Sequence, residues 1–118
     1  MKALAIVLVL CGVASAEPKQ EFVSDADAAK FVVFFDQIVD IVATTKEDCG
    51  KMAKSLVSLF DANQKLIDDS NKAKSDGKKL PKAADEHVST GAQKLVTDLK
   101  TCAADKAVQD AFKRLERK

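Results

Sequence analysis

The chain has 118 residues with 19 basic and 18 acidic side chains, a formal charge of +1 and 47% hydrophobic residues. This near-neutral composition excludes a strongly basic protein that would attract nucleic acid or an anionic membrane surface. Beyond residue 16 no apolar run approaches the ~18 residues that a transmembrane helix needs. We therefore expect a soluble protein whose remaining residues, about one hundred, form a single domain.

Residues 1–16 have the pattern of a secretory signal peptide. Lys2 is followed by an apolar run, and Ala14 and Ala16 form a small-x-small cleavage site before Glu17. The sequence thus predicts a secreted or periplasmic protein. The alternative is a lipoprotein, because the segment that ends at Cys11 resembles a bacterial lipid-attachment site, although that site prefers a small residue where Leu10 stands.

The first helix of the mature chain has an unusually broad apolar face. We expect a flexible lead-in over 17–23 and a single domain over 24–118, in which Ser24 caps a helix running to about Thr44. Its apolar arc covers about 200°, against about 100° for an ordinary surface helix. The helix is therefore either the centre of a small bundle or one that also faces a partner subunit or an apolar ligand. Phe31, Phe34 and Phe35 lie on this arc.

The second predicted helix is about thirty residues long. Thr44 and Glu47 form a capping box at its start, and it ends before Asp76 and Gly77. Its apolar stripe has the spacing of a bundle helix and continues through Asn63. We expect this asparagine to fix the register of the helices; the alternatives are that it lines a small internal cavity or that the stripe rotates outward there.

A third helix is predicted from Pro81 to Cys102, and a short fourth one, capped by Asp105, runs to about Arg117. Nothing in the sequence alternates like a strand. Short connections make successive helices antiparallel neighbours, so the predicted fold is all-α, a small up-down-up-down four-helix bundle with three long helices and one short C-terminal helix.

Two cysteines remain after removal of the signal. An even pair without metal-ligand spacing in an exported protein predicts a disulfide, here between Cys49 and Cys102. The bridge would join the start of helix 2 to the end of helix 3, and would clamp the open end of the hairpin that turns at Gly77.

Residues for cofactor or enzyme chemistry are few. Met52 and His87 could ligate haem, but their predicted positions along the bundle lie too far apart for one iron. His87 with Asp85 and Glu86 could bind a metal only weakly, because adjacent helical residues diverge by about 100°. The sequence has no nucleophile with a plausible histidine partner and no glycine-rich phosphate loop. We expect no enzyme activity, no metal and no cofactor.

A cluster of lysines surrounds the predicted turn at Gly77. It is a candidate site for an anionic partner, although a solvated loop has the same composition. No aromatic residue is interleaved with the cluster, so nucleic-acid binding is not expected. Its members are Lys72, Lys74, Lys78, Lys79 and Lys82.

These observations leave three hypotheses for function. The first is a non-enzymatic exported protein that acts by binding an unknown protein partner or by self-association. The second is a carrier of a small apolar ligand, which predicts a cavity of a few hundred cubic ångström. The third is a weak metal or haem protein. The apolar ligand or partner face would be formed by Phe31, Phe34, Phe35, Phe60 and Phe112.

Overall fold

The computed structural model describes residues 21–116, and these residues form helices without a β-strand. The predicted all-α class is confirmed, while the predicted number and lengths of the helices are wrong. The signal sequence lies outside the described residues, together with Cys11 and the predicted cleavage site at Ala14, Ala16 and Glu17. The helices are α1 Asp25–Thr45, α2 Cys49–Ala62, α3 Gln64–Ser75, α4 Lys82–Leu99 and α5 Lys106–Lys113, followed by a 3₁₀ helix Arg114–Glu116.

The start of α1 is capped as the sequence predicts, whereas the start of α2 is not. The hydroxyl of Ser24 accepts a hydrogen bond from the backbone N–H of Asp27 at 3.1 Å. Thr44 belongs to α1 and donates its hydroxyl to the carbonyl of Asp40 at 3.0 Å. The cap of α2 is Asp48, whose carboxylate accepts from the N–H of Lys51 at 3.0 Å. Thr44 thus forms a hydrogen bond within α1 and does not cap α2. Asp48, four positions later, caps α2 in its place.

The predicted thirty-residue helix is divided at Asn63. This residue has φ −120° and ψ 29°, outside the helical range. Its side-chain amide donates to the carbonyl of Leu59 at 2.8 Å, and the side chain of Gln64 donates to the carbonyl of Phe60 at 3.0 Å. Side-chain donors thus replace backbone N–H groups at the end of α2. The register role predicted for Asn63 is wrong, because this residue separates two helices.

The turn after α3 is fixed by backbone geometry. Gly77, at the predicted turn, has φ +80° and donates its N–H to the carbonyl of Lys74 at 3.0 Å. The N–H of Lys78 donates to the carbonyl of Ala73, also at 3.0 Å. These two bonds form a Schellman motif, in which a glycine takes the left-handed position. The motif ends α3 and determines where Lys78 leaves the helix.

The segment before α1 is joined to this turn. Lys79 accepts from the N–H of Val23 at 2.9 Å and donates to the carbonyl of Glu21 at 3.0 Å. The last three residues of the predicted flexible lead-in, 21–23, are therefore held by backbone hydrogen bonds. Pro81 precedes α4 as its N-cap instead of occupying its first turn as predicted.

The predicted disulfide between Cys49 and Cys102 is present, with the two Cα atoms 5.4 Å apart. Because α4 ends at Leu99, the bridge joins the start of α2 to the turn that follows α4. Asp105 then caps α5 as predicted, since its carboxylate accepts from the N–H of Val108 at 3.1 Å.

Packing around α1 differs from the predicted hairpin. Helix α4 packs mainly against α1, and α5 packs mainly against α2. Gly91 allows the close approach of α4, since a Cβ at this position would lie 2.7 Å from the ring of Phe35. The broad apolar arc of α1 packs against α2, α3 and α4. It offers α4 a larger apolar surface than the second predicted helix, which was its expected partner. The core contains Phe34, Ile38, Val42, Met52, Leu56, Phe60, Ile67, Cys102 and Val108.

Candidate functional site

A cavity of about 500 Å³, partly open to solvent, lies between α1 and α3, and residues of α4 and α5 complete its lining. This volume falls within the ~300–1,000 Å³ range of small-molecule sites. Helix α1 contributes Phe31, Phe34, Phe35 and Ile38. The broad apolar arc of α1 therefore serves two purposes, because part of it packs on neighbouring helices and part of it lines this cavity.

Part of the cavity wall is aromatic, and its rings contact one another or a ring of the core. Phe34 and Phe112 both line the cavity. Phe60 lies behind them, fully buried, with its ring centroid 5.9 Å from each of theirs. Phe31 and Phe35 stack at 6.3 Å on the same side of α1. Of the five phenylalanines predicted to form an apolar face, four line the cavity and Phe60 supports it from the core.

The space exists because α3 carries small side chains opposite these rings. Leu66 and Ile67 fill the first turn of α3, whereas Ser70 and Ala73, which follow at helical spacing, also line the cavity. Along this face of α3 the side chains become smaller, from leucine and isoleucine to serine and alanine. They leave open a volume that the larger side chains of a bundle helix normally fill.

The α3 side of the cavity is tied to the C-terminal segment. The side-chain amide of Asn71 donates to the carbonyl of Leu115 at 2.9 Å, and both residues line the cavity. On the outer face of α2, Arg114 forms an ion pair with Asp61 at 2.7 Å. Both contacts anchor the segment that directly follows Phe112.

The predicted lysine cluster is divided by the structure. Lys74 and Lys78 line the cavity, whereas Lys72, Lys79 and Lys82 do not. Lys72 instead forms an ion pair with Asp76 at 3.3 Å along the surface of α3. The cluster therefore consists of two groups of lysines, one that lines the cavity and one that lies outside it.

The residues weighed for metal or haem binding are placed apart. Met52 is fully buried in the core, as expected, while His87 is exposed on α4 with its Nε2 2.7 Å from a carboxylate oxygen of Asp36. Within residues 21–116 no three histidine, cysteine, aspartate or glutamate side chains come together in a way that could hold a metal ion. Asp85 and Glu86 are exposed beside His87.

One buried charge was missed by the sequence analysis. Asp98 is only 9% exposed and accepts a hydrogen bond from Lys94 at 2.9 Å, with the ammonium of Lys46 3.8 Å away. The hydrogen bond from Lys94 holds the pKa of Asp98 below its ordinary value, against the opposing effect of burial, and Lys46 adds to the lowering. These contacts join the end of α1 to the end of α4 and form a structural link away from the cavity.

Comparison with known proteins gives no relative for this chain. No family model matches it, and neither does any curated protein or solved structure. In the described part of the chain no helix is both long enough and apolar enough to cross a bilayer.

Proposed function

We propose that the protein is a non-enzymatic carrier that binds a small apolar ligand in the cavity between α1 and α3. The observation that supports this proposal is the cavity of about 500 Å³, which four of the five phenylalanines expected to form an apolar face line directly. An apolar space of this size at the surface has no structural use in a small bundle, where cavities lower stability. The protein-interaction hypothesis stays a prediction.

The proposal includes the export and the helix order expected from the sequence. We infer that a mature chain beginning near Glu17 is secreted or periplasmic, and the disulfide between Cys49 and Cys102 supports an oxidising compartment. We also infer an up-down-up-down order in which α2 and α3 together form the second pass. The joining of residues 21–23 to Lys79 supports this order, because it brings the start of α1 to the end of α3.

Fluorescence titration with N-phenyl-1-naphthylamine, an uncharged probe that brightens in apolar surroundings, tests the proposal on the mature protein. We expect saturable binding of one probe per chain, with a Kd on the order of micromolar for a ligand of this size. The absence of saturable binding would contradict the carrier proposal.

A cavity-filling substitution distinguishes the cavity from the rest of the surface. Ala73→Trp places an indole in the cavity from α3, and we expect it to weaken probe binding at least tenfold. The matched control is Ala107→Trp, because Ala107 is exposed on α5 and does not line the cavity. Equal probe affinity in the two variants would place the probe elsewhere.

Ser70→Phe provides a second obstruction from the neighbouring turn of α3, in case Ala73→Trp does not fold. Far-UV circular dichroism and urea unfolding of each variant show whether the helices remain intact. If Ser70→Phe folds and still binds the probe as the wild type does, the cavity proposal is wrong.

A further inference from the structure

We propose that the ligand is amphipathic, with an apolar body in the cavity and an anionic head, such as a carboxylate, held at its mouth by Lys30, Lys74 and Lys78. This inference rests on the proposed function, since it identifies the class of ligand for the same cavity. The charged residues of the cavity lining support this inference, whereas the phenylalanines of the lining support ligand binding itself.

The mouth of the cavity has more lysine side chains than carboxylates. Its charged lining residues are Asp27, Lys30, Asp69, Lys74 and Lys78. None of the three lysines forms an ion pair within 4.0 Å with another residue of the described chain.

One of the two carboxylates, Asp69, is paired with a different lysine. Lys65, which does not line the cavity, donates to Asp69 at 3.0 Å. This hydrogen bond raises the pKa of Lys65, and the carboxylate of Asp27 contributes to the same shift to a smaller extent. Because Asp69 already pairs with Lys65, it does not compete with a ligand for the three lining lysines.

The donors come from three segments whose positions are fixed independently. Ser70 and Lys74 lie one turn apart on α3 and line the same cavity. Lys78 follows the Schellman turn at Gly77, and Lys30 precedes Phe31 on α1. Ser70 is half-buried, and its hydroxyl forms no hydrogen bond with the described residues. Lysine ammonium groups donate and cannot accept, so this end of the cavity suits an acceptor-rich head such as a carboxylate.

The opposite side of the cavity suits a hydrocarbon body. Phe34 is 4% exposed and Phe112 is half-buried, and both lie in the lining with Ile38 and Leu95. A single site therefore combines a donor-rich mouth with an apolar interior. A ligand with one polar end satisfies both, whereas a uniformly apolar ligand leaves the lysines solvated and gains nothing from them.

The test compares decanoate with decan-1-ol, which has the same chain length and no charge, by displacement of the bound N-phenyl-1-naphthylamine. We expect decanoate to bind about fivefold to tenfold more tightly at low salt, as two or three exposed charge contacts allow. The preference should shrink as salt shortens the Debye length to a few ångström.

A pair of double variants separates the mouth from the overall field of the protein. Lys74→Gln with Lys78→Gln should bring the two affinities to within about twofold. Lys79→Gln with Lys82→Gln removes the same charge from the same cluster outside the lining, and should keep the preference. Both pairs are exposed, so the helices should be unaffected.

The outcomes distinguish this inference from the proposal on which it rests. Equal affinity for decanoate and decan-1-ol in the wild type would overturn the anionic head while leaving the apolar carrier intact. Equal loss of preference in both double variants would also overturn it, because the effect would then follow net charge. Failure of both compounds and of the probe to bind would refute the carrier function itself.

Discussion

Loss of the disulfide should remove a large part of the stability of this domain. The cleanest perturbation is the double variant Cys49→Ala with Cys102→Ala, because Cys102 is fully buried and Cys49 is half-buried. Serine at these positions would bury a hydroxyl and add a second cost. Alanine removes the bridge and two sulfur atoms without leaving a polar group unsatisfied.

The magnitude follows from the length of the closed loop. The two cysteines are separated by 53 positions, which on the chain-entropy model corresponds to roughly 4 kcal/mol at 25 °C. The smaller alanine side chains in the core add up to about 1 kcal/mol. Typical domains are stable by only ~5–15 kcal/mol, so the variant should lose from about a third to nearly all of its stability. For a domain of this size the loss lowers the Tm by roughly 15–30 °C.

Urea unfolding followed by far-UV circular dichroism measures this effect, with wild-type protein reduced by a thiol reagent as the matched control. Reduced wild type and the double variant should lose similar amounts, because both release the same loop. The m-value should rise in both, since an unbridged unfolded chain exposes more surface. A loss below about 1 kcal/mol with an unchanged m-value would refute the loop argument.

Three further predictions concern single positions. Gly91→Ala should destabilise by up to about 2 kcal/mol and weaken probe binding, because its Cβ would lie 2.7 Å from the ring of Phe35, which lines the cavity. Gly77→Ala should cost about 1 kcal/mol in urea unfolding, since φ is +80° there, whereas Gly50→Ala meets nothing closer than 3.7 Å and should be neutral or stabilising. The pKa of Asp98 is lowered in the folded protein, chiefly by the hydrogen bond from Lys94. The stabilisation that Asp98 contributes is therefore present at neutral pH and lost as the pH falls below about 4. Unfolding of Asp98→Asn, measured over the same pH range, should lack this pH-dependent loss of stability.

Two of the helix starts were predictable from their capping residues. Ser24 and Asp105 both cap the helices expected of them. The start of α2 had two candidates four residues apart, Thr44 and Asp48, and the choice depended on an intrahelical bond that periodicity does not reveal. The disulfide was predictable because an even count left one pairing.

The division at Asn63 was hidden by the regularity of the apolar stripe, which continues at helical spacing on both sides. A helix is interrupted when side chains replace its backbone donors, and this occurs at Asn63 and Gln64 together. The packing of α4 on α1 was hidden for a different reason, because it depends on which surfaces fit once the helices have formed. The absence of a side chain at Gly91 is the sequence feature that indicates such a close approach.

The two halves of the predicted thirty-residue helix, α2 and α3, differ in how many side chains they bury, and this difference explains the cavity. Helix α2 buries Met52, Ala53, Leu56 and Phe60, whereas α3 buries only Ile67 among its twelve residues. A helix with so little buried surface is held by other contacts, here by the bond from Asn71 to the C-terminal segment and by the Gly77 turn. The buried core is supplied mainly by α1, α2 and α5, which leaves the face of α3 free to carry small and polar residues. That separation allows a bundle of this size to keep an unfilled apolar space, and it is the structural reason why a ligand is expected there.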